Sequence, residues 1–223
     1  MRFDVDALLF DMDGTLVDST AAVLRGWRTV AAEFPIPPDL FAVVPRHGRP
    51  AAEILADLLP RELIPAAAER LDELERTDTG DVVLLPGAAR LLAAAPTGRW
   101  AVVTSAGRPL ARVRLGAAGI DAPALVTIDD VSRGKPDPEP FLLGAKLLGV
   151  PPERCLVFED APAGLIAARA AGAKTVAVAT THAADELEAD VVVPDLSAVR
   201  IICGESPDST ERGEGDRIVV LTD

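Results

Sequence analysis

Short apolar runs, each closed by polar residues and most followed by a helix-like stretch, recur along this chain and limit what it can fold into. They lie at residues 7–10, 100–104, 125–128, 155–158, 175–178 and 191–193. Such runs are too short for helices and read as strands buried on both faces. Helical periodicity falls at 19–34, 50–59, 65–76, 88–94, from 108 onward, and at 138–148 and 161–171. Strands alternating with helices predict the α/β class, a Rossmann-like parallel sheet with helices on both faces. In such sheets ligands bind at the carboxyl ends of the strands.

The first run ends in Asp11-Met12-Asp13-Gly14. If the strand continues through Asp13, both carboxylates share a face, because strand side chains alternate with period two. Neighbouring anions need a cation or a retained proton. Gly14 lets the backbone turn sharply. Asp and Gly after a strand also make ordinary turns, so the other strand ends decide the reading.

Those ends are polar in a consistent way. The run at 100–104 closes in Thr104-Ser105 just before a helix opened by Arg108-Pro109. A hydroxyl and backbone N–H groups at a helix N-terminus suit a phosphate; a plain helix cap is the alternative. Lys135 stands between Gly134 and Pro136 in a stiff loop, and the run at 155–158 ends in Glu159-Asp160. Together, Asp11, Asp13, Glu159 and Asp160 would surround one hard cation, with Lys135 and Ser105 facing a phosphate. Mg²⁺ prefers such oxygen ligands together with substrate phosphate oxygens. The set fits phosphoryl transfer, where positioning and charge neutralisation dominate, and a carboxylate can be the nucleophile.

Charge narrows the partners. The 223 residues carry a net charge of −13, which argues against nucleic acid and anionic membrane surfaces. A small phosphorylated metabolite needs only a few local cations. Cys155 and Cys203 stand in no metal spacing and make no secreted disulfide framework. Neither a signal peptide nor an apolar stretch of about 18 residues is visible, so a cytoplasmic enzyme is expected, as a monomer or small homo-oligomer.

Between the first strand and Asp81 the pattern is helical, apart from a short strand-like run at 41–44. A block of this length is too long for an ordinary crossover and reads as an inserted α-helical cap. The expected organisation is a core of 1–16 and 81–223 with a cap of 17–80, Ser19 capping the first helix. At the end, 204–216 reads as a loop, and 200–203 and 217–221 as a hairpin on the sheet edge.

DMDGTLVDS, VVTSAG, GKPDP and FEDAPAG, in this order, resemble the four signature motifs of the haloacid dehalogenase superfamily. Helices inserted after the first motif resemble its small C1-type cap. Arg46-His47-Gly48-Arg49, DAPAG, residues 144–150 and the tail strand are most similar to its bacterial sugar phosphatases, whose neighbours include glycerol-phosphate and 2-deoxyglucose-6-phosphate phosphatases. The resemblance implies a Mg²⁺-dependent phosphatase of sugar or polyol phosphates. Asp11 would form an aspartyl phosphate. Asp13 would protonate the leaving alkoxide and then deprotonate water. Asp11, the Asp13 backbone carbonyl and Asp160 would bind Mg²⁺, with Glu159 touching the ion or backing its ligands. Thr104, Ser105 and Lys135 would hold the phosphoryl oxygens. Superfamily dehalogenases lack the second aspartate, so Asp13 favours phosphate chemistry.

The cap is expected to select the substrate, with His47 and Arg49 as contacts. His182 reads as solvated, and Cys155, Trp27 and Trp100 as structural. A sugar phosphomutase or phosphoglycolate phosphatase of the same superfamily, and a non-catalytic relative that binds a phosphorylated ligand, are the alternatives.

Overall fold

The computed structural model describes residues 1–43, 49–204 and 217–222. The chain opens with β1 (Arg2–Val5), then β2 (Ala7–Phe10) and, after a turn, β3 (Val17–Asp18). Four helices follow: α1 (Thr20–Glu33), α2 (Pro38–Val43), α3 (Ala51–Leu58) and α4 (Ile64–Thr77). The chain returns through β4 (Val83–Leu84), α5 (Ala88–Ala94), β5 (Trp100–Val103), α6 (Arg108–Ala117) and β6 (Leu125–Val126). It continues with α7 (Glu139–Leu147), β7 (Cys155–Glu159), α8 (Pro162–Ala170), β8 (Lys174–Val178) and β9 (Val191–Val193). A pair, β10 (Val199–Gly204) and β11 (Arg217–Thr222), ends it.

Six strands form a parallel sheet in the order β6-β5-β2-β7-β8-β9. The expected α/β architecture is therefore present. Alternation along β2 explains its central place. Leu8 and Phe10 enter an apolar cluster with Leu91, Ala111 and Leu115 of α5 and α6. Ala7 and Leu9 enter another with Phe141 of α7 and Ala168 of α8. A strand that buries both faces has no polar position until it ends, and the residue just past the end of β2 is Asp11. Phe10 stacks on its register partner Phe158, ring centroids 4.8 Å apart. That contact fixes the carboxyl ends of β2 and β7 side by side, and with them Asp11 and Glu159.

Helices α1, α3 and α4 close around their own apolar cluster, which includes Trp27, Val30, Leu55 and Leu71. The antiparallel pair β3–β4 sits where the chain enters and leaves this block.

Several local expectations shift. Residues 38–43 are helix, not strand. The run at 125–128 stops at Val126, because Thr127 and Asp130 close a helical turn through the Thr127 N–H and hydroxyl, both donating to Asp130 Oδ2. Ser19 precedes α1 without capping it; Asp18 accepts the Thr20 N–H instead, at 3.0 Å. The tail hairpin forms but leaves the parallel sheet. It pairs with β1 in a separate three-stranded sheet, β1-β11-β10. The alternating Phe3 and Val5 of β1 lie in the same cluster as their register partners Val220 and Ile218 of β11, a cross-strand apolar match that the N-terminal residues do not reveal alone.

Gly87 and Gly98 both have positive φ, +85° and +75°. A Cβ at Gly87 would strike the backbone of Leu196 and Ser197, whereas one at Gly98 would meet nothing within 4 Å. Gly98→Ala should cost about 1–2 kcal/mol, the left-handed penalty alone. Gly87→Ala should cost about 1–3 kcal/mol more from overpacking. Urea unfolding of the two variants checks the order; equal losses would contradict the close approach at Gly87.

Candidate active site

Asp11, Lys135, Glu159 and Asp160 meet at the carboxyl ends of β2 and β7, and all four are buried. Lys135 Nζ donates to Asp11 Oδ1 at 2.5 Å, Glu159 Oε1 at 2.7 Å and the Val103 carbonyl at 2.9 Å. An ammonium has three protons, so this lysine is fully engaged by three neighbouring strands. It also lies 5.0 Å from the centroid of the Phe141 ring. Lys135, expected at a fixed place facing a phosphate, reaches in from its loop and braces Asp11.

Glu159 Oε2 accepts the N–H groups of Asp160 and Ala161, each at 2.9 Å. This carboxylate fills the space beside Gly164, where a Cβ would overlap it. The glycine of FEDAPAG is therefore required by Glu159 itself. Asp160 accepts from Thr181 and, at 3.4 Å, from Thr15. His182 Nδ1 lies 3.1 Å from the Asp160 carbonyl and 2.9 Å from Thr181 Oγ1. His182 is thus half-buried beside the acids rather than solvated.

One oxygen each from Asp11, Glu159 and Asp160 can lie within 4.8 Å of one another. Three carboxylates against one ammonium leave surplus negative charge in a buried place. Burial pushes Asp11 up to about 8, against the pull of Lys135 and with the push of Glu159. Burial, then Glu159 and Asp11, raises Asp160 as well. Burial by itself would lower Lys135, but Asp11 and Glu159 hold it above its ordinary value. An all-oxygen donor set with uncompensated charge fits a hard divalent cation.

Asp13 departs from the expected four-acid convergence. The three-residue cluster excludes its side chain, because β2 ends at Phe10 and the chain turns before Asp13. Its Oδ1 accepts from Ser19 Oγ at 2.6 Å and its Oδ2 from Arg114 Nη1 at 2.8 Å. The other terminal nitrogen of Arg114 donates to Glu75 Oε2 of α4 at 2.9 Å. Burial, followed by the opposing pull of Arg114, sets Glu75, whose pKa rises to about 7. Sequence reasoning missed Arg114, Glu75 and Thr181. Arg114 is one of several arginines on α6, and nothing in its spacing marks it.

Above the acids lies a cavity of about 380 Å³ between the strand ends and the helices α1, α3 and α4. Asp11, Asp13, Thr104, Ser105 and Arg49 all line it. The Thr104 hydroxyl accepts the Ala106 N–H at 3.1 Å, and the Arg108 N–H at the start of α6 goes to Asp129 at 2.7 Å. Arg49 pairs with Asp57 at 2.9 Å. His47 lies outside the described residues. Pro50 packs against Gly134, where a Cβ would come within 2.9 Å of its ring, so the glycine of GKPDP admits the helical block to the core.

Comparison with known proteins agrees with this geometry. The chain is 39% identical to hexitol phosphatase A of Escherichia coli (strain K12) over 222 residues, covering 95% of this chain and 97% of that protein. It is 34% identical to glycerol-1-phosphate phosphohydrolase 2 of Saccharomyces cerevisiae, covering 90% and 86%. The structure of a hydrolase from Pseudomonas syringae superposes with a TM-score of 0.77 at 30% identity, covering 85% of this chain and 93% of that one. A haloacid dehalogenase-like hydrolase profile matches residues 5–172, which carry all four motifs and the acid cluster. This chain belongs to the haloacid dehalogenase-like hydrolases.

Proposed function

We propose that this chain is a Mg²⁺-dependent phosphatase of sugar or polyol phosphates, acting through an aspartyl phosphate on Asp11. The observation that carries the reading is a nucleophile candidate braced by a buried lysine at the floor of a cavity, with a second aspartate on the cavity wall. Relatives that hydrolyse hexitol phosphates and glycerol phosphate support the substrate class. A phosphorylated metabolite as substrate also supports a cytoplasmic placement.

Asp11 attacks phosphorus, and the bond to the substrate oxygen breaks. Asp13 gives its proton to the departing alkoxide. The resulting Asp13 carboxylate then takes a proton from water as the water oxygen attacks the aspartyl phosphate, releasing phosphate and restoring Asp11. One group serves as acid and then as base. Thr104 and Ser105 bind phosphoryl oxygens from the loop after β5, and Lys135 sits beside the Asp11 oxygen that it braces. Asp11, Asp160 and the Asp13 backbone carbonyl would hold Mg²⁺, with Glu159 fixing Lys135 and the turn behind them. When bound, Mg²⁺ supplies charge neutralisation for the acids and the phosphoryl oxygens. We take 17–80 as the cap and 1–16 with 81–223 as the core, a division supported by the separate apolar cluster of α1, α3 and α4. Arg49, with Trp27 and Asp72, meets the part of the substrate beyond the phosphate, and His47 is assigned the same task from the sequence.

Asp11→Asn should reduce turnover to background. Asp13→Asn should cost about 10²–10⁴-fold with a hexitol phosphate and far less with nitrophenyl phosphate, whose leaving group needs no proton. Equal losses would remove Asp13 as the acid. Formation of an isomeric hexose phosphate in place of free phosphate would indicate a mutase.

Chelation should abolish activity and Mg²⁺ restore it, whereas Ca²⁺, with more ligands at longer distances, should inhibit. Mg²⁺ should also raise the melting temperature, since an ion bound to the folded state alone stabilises it. Full activity in excess chelator would contradict the metal assignment.

Arg49→Ala and His47→Ala should each lower kcat/KM for the preferred sugar phosphate by about 1–3 kcal/mol, the cost of an unpaired polar group, with little effect on nitrophenyl phosphate. An unchanged ranking across a panel of phosphate esters would exclude a role in selection.

A further inference from the structure

Arg114 stands out because its guanidinium is almost wholly buried and yet faces two carboxylates from different parts of the chain. Its side chain is 4% exposed, and that of Glu75 9%. Nη1 holds Asp13 on the turn after β2, and Nη2 holds Glu75 on α4. Arg114 itself projects from α6. Among the described residues, its Nε is the one buried side-chain nitrogen or oxygen without a hydrogen-bond partner. A buried donor left unpaired is costly, so the side chain takes this pose to serve both carboxylates rather than to satisfy itself. All three residues line the cavity above Asp11.

We propose that Arg114, braced by Glu75 of α4, is a positioning residue that aims the acid/base Asp13. The proposal rests on the role assigned to Asp13 above. Its physical basis is the shape and balance of the triad. A planar guanidinium holds two carboxylates in fixed directions, which an ammonium cannot do. With Glu75 in place, Arg114 is shielded from water, and its bond to Asp13 gains strength in the drier surroundings. Ser19, just before α1, grips the other Asp13 oxygen, so Asp13 is restrained from two sides.

The test compares leaving groups. Arg114→Ala, Arg114→Lys and Glu75→Gln are assayed with a hexitol phosphate and with nitrophenyl phosphate, alone and combined with Asp13→Asn, after a thermal melt establishes folding. Arg114→Ala and Arg114→Lys should lower kcat for the hexitol phosphate about 10–100-fold while changing nitrophenyl phosphate turnover less than about threefold. Glu75→Gln, which keeps the shape and a neutral acceptor, should give a smaller loss with the same selectivity. In the Asp13→Asn background all three should add less than about twofold, because a residue acting through Asp13 has nothing left to position. Equal losses on both substrates, additive losses with Asp13→Asn, or unchanged hexitol phosphate turnover would overturn the proposal. If Arg114→Ala does not fold, Glu75→Gln decides by the same criteria. Asp13→Asn serves as the control: if it shows no selective loss, the acid assignment fails; if only the other variants lack it, the positioning role fails alone.

Discussion

The buried ammonium of Lys135 is the interaction on which the site depends. It takes Asp11 from β2, Glu159 from β7 and a carbonyl from β5, and so ties three adjacent strands at one level. Removing one partner of a buried ion pair costs about 3–5 kcal/mol, because the other is left uncompensated. The sheet order that brings β5, β2 and β7 together is therefore also the order that makes the charges tolerable. Phe10 on Phe158 sets the spacing from below, and the lysine sets it from above.

A second cation repeats the scheme one layer up. Arg114 joins Asp13 of the core to Glu75 of the helical block, just as Lys135 joins strands within the core. The two differ in what they bridge. Lys135 holds elements that share one rigid sheet, and its partners are fixed to each other by ladder hydrogen bonds. Arg114 reaches from α6 to α4, whose apolar residues belong to a different cluster from those of the sheet. The first arrangement fixes Asp11 among the strands. The second ties Asp13 to a helix outside the sheet. Small residues let both layers close: Gly164 makes room for Glu159, and Gly134 for Pro50.

The architecture was largely legible because it follows from local rules. Short apolar runs alternating with amphipathic stretches leave few options but a parallel sheet with helices on both faces. The polar residues that end those runs then fall at one edge of the sheet, and Asp11, Thr104, Ser105, Glu159 and Asp160 were readable for that reason. Boundaries decided by side-chain competition were not. Ser19 has a capping residue's identity, but its hydroxyl goes to Asp13, and Asp18 supplies the local acceptor. Thr127 and Asp130 end β6 by a contact that apolar periodicity does not register. The tail hairpin was visible as two strands, while its partner β1 was not, because choosing between two sheets depends on long-range packing of Phe3 and Val5.

The sequence by itself determined the fold class, the order of the motifs and the set of groups available for phosphoryl transfer, since strand alternation and residue chemistry are local properties. Only the tertiary structure decided what each charge faces. It turned Lys135 inward to brace Asp11, withdrew the Asp13 carboxylate from the acid cluster and placed Arg114 between that carboxylate and Glu75. The physical reason is that ion pairing and burial depend on distances between residues far apart in the chain. Asp13 and Arg114 are 101 positions apart, and Asp11 and Lys135 124. No periodicity in a linear sequence encodes such a meeting.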